Sequence, residues 1–121
     1  MRVSASFSIG AALTLLAWPT QAGFETGNDM AEFCATGAGT YNSTKCVAYI
    51  IGVFDMIELS QSLVDREGKQ APQYVCLPSG VSNFQIRDVV VKAVTDNPSQ
   101  RHNGAAMLIF NALIKAFPCN Q

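Results

Sequence analysis

Asn42-Ser43-Thr44-Lys45-Cys46-Val47-Ala48-Tyr49-Ile50-Ile51-Gly52-Val53-Phe54-Asp55-Met56-Ile57-Glu58-Leu59 is the stretch whose pattern settles the architecture. Val47, Ile50, Ile51, Phe54 and Ile57 recur every three to four residues, the spacing that gathers side chains on one face of an α-helix. Val53, Met56 and Leu59 flank the same stripe, so the helix is apolar around much of its circumference. Such a helix is central to its domain or has a second apolar partner, such as another subunit. Gly52 costs about 1 kcal/mol against Ala in a helix interior, which leads us to expect a close helix contact there. Asn42-Ser43-Thr44 is read as the start of the helix; it also matches a glycosylation sequon, and the cap reading is preferred.

Working outward, Asn28 is a candidate N-cap for a short helix through Met30-Ala31-Glu32-Phe33-Cys34, which the Thr36–Thr40 cluster stops. On the other side the long pattern dies at Asp65-Arg66-Glu67-Gly68-Lys69, and a loop runs on through Pro72 to Gly80. Ser82 and Gln85 fit a capping box ahead of Phe84, Ile86, Val89, Val90, Val91 and Val94. Three consecutive valines also suit a strand, but the cap and a pattern lasting to Asn97-Pro98 favour a helix that Pro98 terminates. A last helix is expected over Ala105 to Phe117. The fold class is therefore all-α, a small domain of four helices (or four to five).

The chain has 121 residues, 49% of them hydrophobic and 14% charged, with a formal net charge of −1. This is one domain's worth of chain. The apolar content excludes a disordered chain, and the near-neutral charge excludes nucleic acid as a partner, since phosphate binding needs a basic face. Met1-Arg2, the apolar run Ala5 to Trp18 and the small residues before and at Ala22 have the layout of a secretory signal peptide. Residues 1–22 are assigned to it and residues 23–121 to the helical domain. The run is too short to span a bilayer, where about 20 apolar residues are needed, and no other stretch qualifies as a membrane span once the signal is removed.

All four cysteines, Cys34, Cys46, Cys76 and Cys119, lie in the exported part. An even number in a short exported chain reads as a disulfide framework, and no Cys-x-x-Cys pair supports a metal site. Four cysteines allow three connectivities. The pairs Cys34–Cys46 and Cys76–Cys119 are favoured, the first clipping two consecutive helices and the second pinning the C-terminal end to the central loop. Chain-entropy arguments assign roughly 3 kcal/mol to the short loop and about 4 kcal/mol to the long one.

Catalytic chemistry is poorly represented. His102 is the one histidine, in a turn rather than beside a nucleophile. Asp55 and Glu58 share a helix face but suit a cap, an arginine partner or a subunit contact as well as acid–base work. No Gly-rich phosphate loop or histidine pair implies a cofactor. No enzymatic activity is expected.

With these residues laid out, the chain resembles the Rap1a/Tai family of small exported immunity proteins. The resemblance is carried by Thr26-Gly27-Asn28, Phe33-Cys34, Cys46 to Val53, Cys76 to Val81, Arg87 to Lys92, Asn97-Pro98, Arg101-His102 and Ala116 to Cys119. It implies a compact, helical, disulfide-bonded periplasmic protein, with homodimers expected. It further implies a protein partner, a peptidoglycan amidase effector of a type VI secretion system, whose catalytic cleft the immunity protein blocks. Asp65 to Tyr74 match none of the family motifs, so Asp65, Arg66, Glu67, Lys69, Gln73 and Tyr74 are the candidate partner-binding residues, with Tyr74 as anchor. The plain alternative is a solvated charged loop. Asp55, Arg87, Asp88, Arg101 and His102 are expected to hold the fold, with Asp55 as a partner for Arg87 or Arg101. The competing function is a chaperone-like or envelope-stress protein that exposes apolar surface.

Overall fold

A computed structural model describes residues 24–119; the expected signal peptide, residues 1–22, lies outside them. Four helices follow one another: α1 (Gly27–Cys34), α2 (Tyr41–Ser62), α3 (Asn83–Asp96) and α4 (Ala105–Ala116), with a 3-10 turn at Pro98–Gln100 between the last two. No strand forms among the described residues, only isolated bridges. The chain is all-α, as the periodicities require.

The starts of α1, α2 and α3 are set by threonine and serine hydroxyls, while α4 starts at Gly104 with no side-chain cap. Thr26, not Asn28, caps α1: Asp29 N–H donates to Thr26 Oγ1 (3.3 Å), and Thr26 N–H donates back to Asp29 Oδ2 (2.7 Å). This is a reciprocal capping box. Thr40 caps α2 by accepting from Ser43 N–H (3.1 Å), so Asn42-Ser43-Thr44 lie within the first turn rather than ahead of it. Ser82 caps α3, accepting from Gln85 N–H at 3.2 Å, but the reciprocal bond of the expected capping box, from Ser82 N–H to the Gln85 side chain, does not form.

The buried positions of α2 are Cys46, Ile50, Phe54, Ile57 and Gln61, one residue per turn. They meet Met30 and Phe33 of α1, Ile86, Val90 and Val94 of α3, and Ala105, Ile109, Ala112 and Leu113 of α4 in one core. Of the three consecutive valines only Val90 is fully buried, the pattern of a helix rather than of a strand. Helix α2 packs against all three others. The disulfides are Cys34–Cys46, joining α1 to α2, and Cys76–Cys119, joining the α2–α3 connection to the C-terminal segment.

Gly52 corrects an expectation. A Cβ placed there meets nothing within 4 Å, because Gly52 faces outward from α2 rather than into a helix contact. The close approach is at Gly27 instead, where a Cβ would stand 2.8 Å from Arg101 Cα and 3.0 Å from its carbonyl oxygen. Main-chain bonds lock that approach: Gly27 N–H to Asn103 O (3.0 Å), Asn28 N–H to Arg101 O (2.9 Å) and Ala105 N–H to Glu25 O (2.7 Å). The motifs Thr26-Gly27-Asn28 and Arg101-His102, remote in sequence, thus form one seam.

Candidate protein-recognition surface

After α2 the chain turns back on itself. Leu63 accepts from Ala71 N–H (2.9 Å), Asp65 N–H donates to Lys69 O (2.9 Å), and Val64 bridges Gln70. Asp65 Oδ1 accepts from Glu67 N–H (2.9 Å) and Lys69 N–H (2.8 Å), an aspartate closing its own turn. Gly68 adopts φ 79°, a left-handed geometry that favours glycine. The result is a short closed tip rather than a slack loop.

The six candidate contact residues therefore divide. Asp65 is committed to the turn. The Gln73 amide donates to Gln61 O (2.7 Å) and Ala71 O (3.3 Å). Arg66, Glu67 and Lys69 are exposed, and none is in an ion pair among the described residues. Tyr74 is half-exposed and stacks edge-to-face on Phe110 of α4, ring centroids 5.8 Å apart. Sequence reasoning missed Leu63 and Val64, which stand 56% and 64% exposed beside the tip. Two large apolar side chains in solvent, next to unpaired charges and an aromatic ring, form a surface suited to a protein partner.

Sequence reasoning also missed Gln61, the one buried polar side chain among the described residues, 6% exposed. Its Oε1 accepts from Tyr74 N–H and Val75 N–H, both at 2.8 Å, and its Nε2 donates to Val75 O at 3.0 Å. A polar residue completing the apolar ladder Cys46-Ile50-Phe54-Ile57-Gln61 was the available signal, since a polar side chain in a core position needs a hydrogen-bond partner. On the far side Cys76 N–H donates to Phe117 O (2.9 Å) and the Cys76–Cys119 bond closes the end.

The motif residues lie elsewhere. Arg87 pairs with its neighbour Asp88 (2.6 Å) and covers the Phe84 ring at 5.3 Å. Arg101 donates to the carbonyls of Val94 (2.9 Å) and Thr95 (2.8 Å), closing the C-terminal turn of α3. Asp55 meets neither arginine, correcting that expectation: it sits on the exposed side of α2. His102 is exposed in the turn before α4. At the base of the bundle Lys45 pairs with Glu25 (2.6 Å) and lies over Phe33 at 4.4 Å. The hydrogen bond to Glu25 holds the Lys45 ammonium above its ordinary pKa.

Two shallow grooves flank α4. One, about 570 Å³, runs between α2 and α4 past Ala48, Tyr49, Gly52, Val53, Met56, Ala106 and Phe110. Partial burial there pushes the Tyr49 phenol up. Phe110 is shared between this groove and the Tyr74 stack, so groove and loop meet. The other, about 500 Å³, lies between α3 and α4, with Lys92, Asp96 and Lys115 in its wall. No described helix is long and apolar enough to cross a membrane.

The family model of the Rap1a immunity proteins matches residues 26–119. No curated protein and no solved structure matches the chain.

Proposed function

Since the chain belongs to the Rap1a immunity protein family, we propose that it is a periplasmic inhibitor. It binds a peptidoglycan amidase effector of a type VI secretion system and obstructs the effector's catalytic cleft, with no turnover of its own. The observation that carries this reading is the closed tip at 63–71: a pre-shaped projection whose outward side chains, Leu63, Val64, Arg66, Glu67 and Lys69, are not consumed by the fold. A rigid projection loses little freedom on insertion into a cleft, so more of its contact energy appears as affinity. Tyr74 supplies the aromatic anchor beside it. Export follows from residues 1–22 acting as a signal peptide and suits the two disulfides, which form in oxidising compartments.

The test is competition on a solid surface between a strain deleted for this gene and its parent. The deletion strain lyses beside the parent. Re-expression of the exported form, or loss of the parent's secretion apparatus, rescues it. Survival equal to a control strain overturns the reading.

A second copy of the chain is the occupant we assign to the α2–α4 groove. Met56 and Leu59 are more than half exposed along α2, and the open site at Gly52 lets another backbone approach closely. Sedimentation should show a dimer, and Gly52→Glu should raise its dissociation constant by roughly a hundredfold, because a charge is then buried in an apolar contact. A monomer at all concentrations removes the dimer. It would leave this apolar face free for the chaperone-like role, which suppression of aggregation of an unrelated protein would reveal.

A further inference from the structure

The segment Tyr74–Cys76 lies between two supports. On one side it runs antiparallel to Phe117–Cys119, with Val75 opposite Pro118. The bond of that pairing, Cys76 N–H to Phe117 O, belongs to the neighbouring residues. Val75 therefore sits at a position whose own N–H and C=O point away from the partner segment. They point into the bundle, where Val75 is 4% exposed and water is excluded. Buried main-chain groups left unpaired are costly. The Gln61 amide meets both, accepting from Val75 N–H and donating to Val75 O, and also takes Tyr74 N–H. One side chain thus stands in for a neighbouring strand. The other end of the connection is tied to the same residue, since Gln73 Nε2 donates to the Gln61 carbonyl.

We infer that Gln61 is the positioning residue of the recognition loop: buried beneath it and out of a partner's reach, it holds the 63–76 segment in a single shape before any partner arrives. Its side-chain bonds go to the loop's backbone and none joins two helices, so its loss frees the loop while the bundle stays closed. The inference rests on the proposed reading of that loop as the contact surface only for its consequence in inhibition. The positioning itself is a property of the free protein.

The experiment uses the oxidised, exported form of the chain and two variants. Gln61→Met keeps the side-chain length without the amide, and Gln61→Ala removes both. Amide hydrogen exchange is followed at Tyr74 and Val75 and, as internal reference, at Ile50 and Phe54; trypsin cleavage after Arg66 and Lys69 is timed in parallel. Losing the Gln61 bonds should speed exchange at Tyr74 and Val75, and cleavage at the tip, by about tenfold or more, with Ile50 and Phe54 unchanged. Loop rates equal to wild type overturn the inference. So does an equal acceleration at all four amides, or failure of both variants to fold, because Gln61 is then a general core residue. In the competition assay Gln61→Met should lose protection, as charge reversal of Arg66 and Lys69 does. Protection lost by the surface variants but kept by Gln61→Met overturns the positioning role. Protection kept by the surface variants as well overturns the contact-surface reading, while the exchange comparison still decides the role of Gln61.

Discussion

The chain at Glu25–Asn28 is bound to the 101–105 turn through main-chain groups, whereas the chain at Leu63–Val75 is bound to α2 through glutamine side chains, that of Gln61 above all and that of Gln73 at the Gln61 carbonyl. At the first seam the backbones approach so closely that only glycine fits at position 27. At the second, a glutamine side chain stands between the α2 backbone and that of Tyr74 and Val75, and the side chains of the tip face solvent. Backbone-to-backbone docking makes a scaffold whose surface is largely spent on itself. Docking through a side chain leaves the segment's own residues free for recognition, which is where functional residues on a rigid scaffold concentrate.

The contrast can be broken most forcefully at the covalent tie it shares with the bundle. Replacing Cys76 and Cys119 together by serine should lower stability by about 2–5 kcal/mol, read from the urea midpoint. An unchanged midpoint means that the long loop is held without the cross-link. Next, Gly27→Ala drives a methyl group into the Arg101 backbone and should lower stability by about 1–3 kcal/mol, with trypsin cleavage after Arg66 and Lys69 staying at the wild-type rate. Faster cleavage at the tip would show that the two regions are coupled rather than separate. Charge reversal at Arg66 and Lys69 should move stability by no more than about 0.5 kcal/mol yet remove protection in the competition assay; a large fall in stability would make the tip part of the fold.

The mildest effect is a pH dependence at the seam. The side-chain and main-chain hydrogen bonds with Thr26 hold the Asp29 carboxyl below its ordinary pKa. A depressed folded-state value means that this contribution is present above the unfolded carboxylate pKa and is lost as pH falls through the folded one. Acid should therefore loosen the start of α1, visible as a lower protection factor at the Met30 amide (its exchange rate set against that of the unfolded chain at the same pH) in acid than at neutral pH, and Asp29→Asn should flatten that dependence. An identical acid response in the Asn variant would assign it to other carboxylates.

Much of this was legible in the residues. The helical run of α2, the Ser82 cap, the stop at Pro98 and the cysteine pairing are local or pairwise features that came out as read, although the buried stripe of α2 takes in Cys46 and Gln61 while Val47 and Ile51 are only partly buried. The errors were of another kind. Asn28 looked like a cap because Asn is a good one, but Thr26 has its acid three residues on and completes a reciprocal box. Gly52 looked like a contact because glycine in a helix is costly, but whether a neighbour lies against it depends on the direction that the helix turns it. Asp55 looked like an arginine partner, yet Arg87 found Asp88 next door and Arg101 found carbonyls. All six candidate contact residues lie in the α2–α3 connection, where Asp65 and Gln73 spend polar atoms on nearby backbone while staying exposed, and the exposed Leu63 and Val64 were overlooked.

Hydrophobic period, helix caps and cysteine number are carried by short stretches of chain, and they were enough to determine four helices, two cross-links and the place where regular structure stops. Which face of α2 stays bare, which glycine is pressed against another backbone, and which side chain pairs with the Tyr74–Val75 backbone were decided only when the helices packed. Each depends on a neighbour distant in sequence: Gly27 on Arg101, Tyr74 on Phe110, and Gln61 on a valine fourteen residues away, whose N–H and C=O have no other partner once the bundle has closed around them.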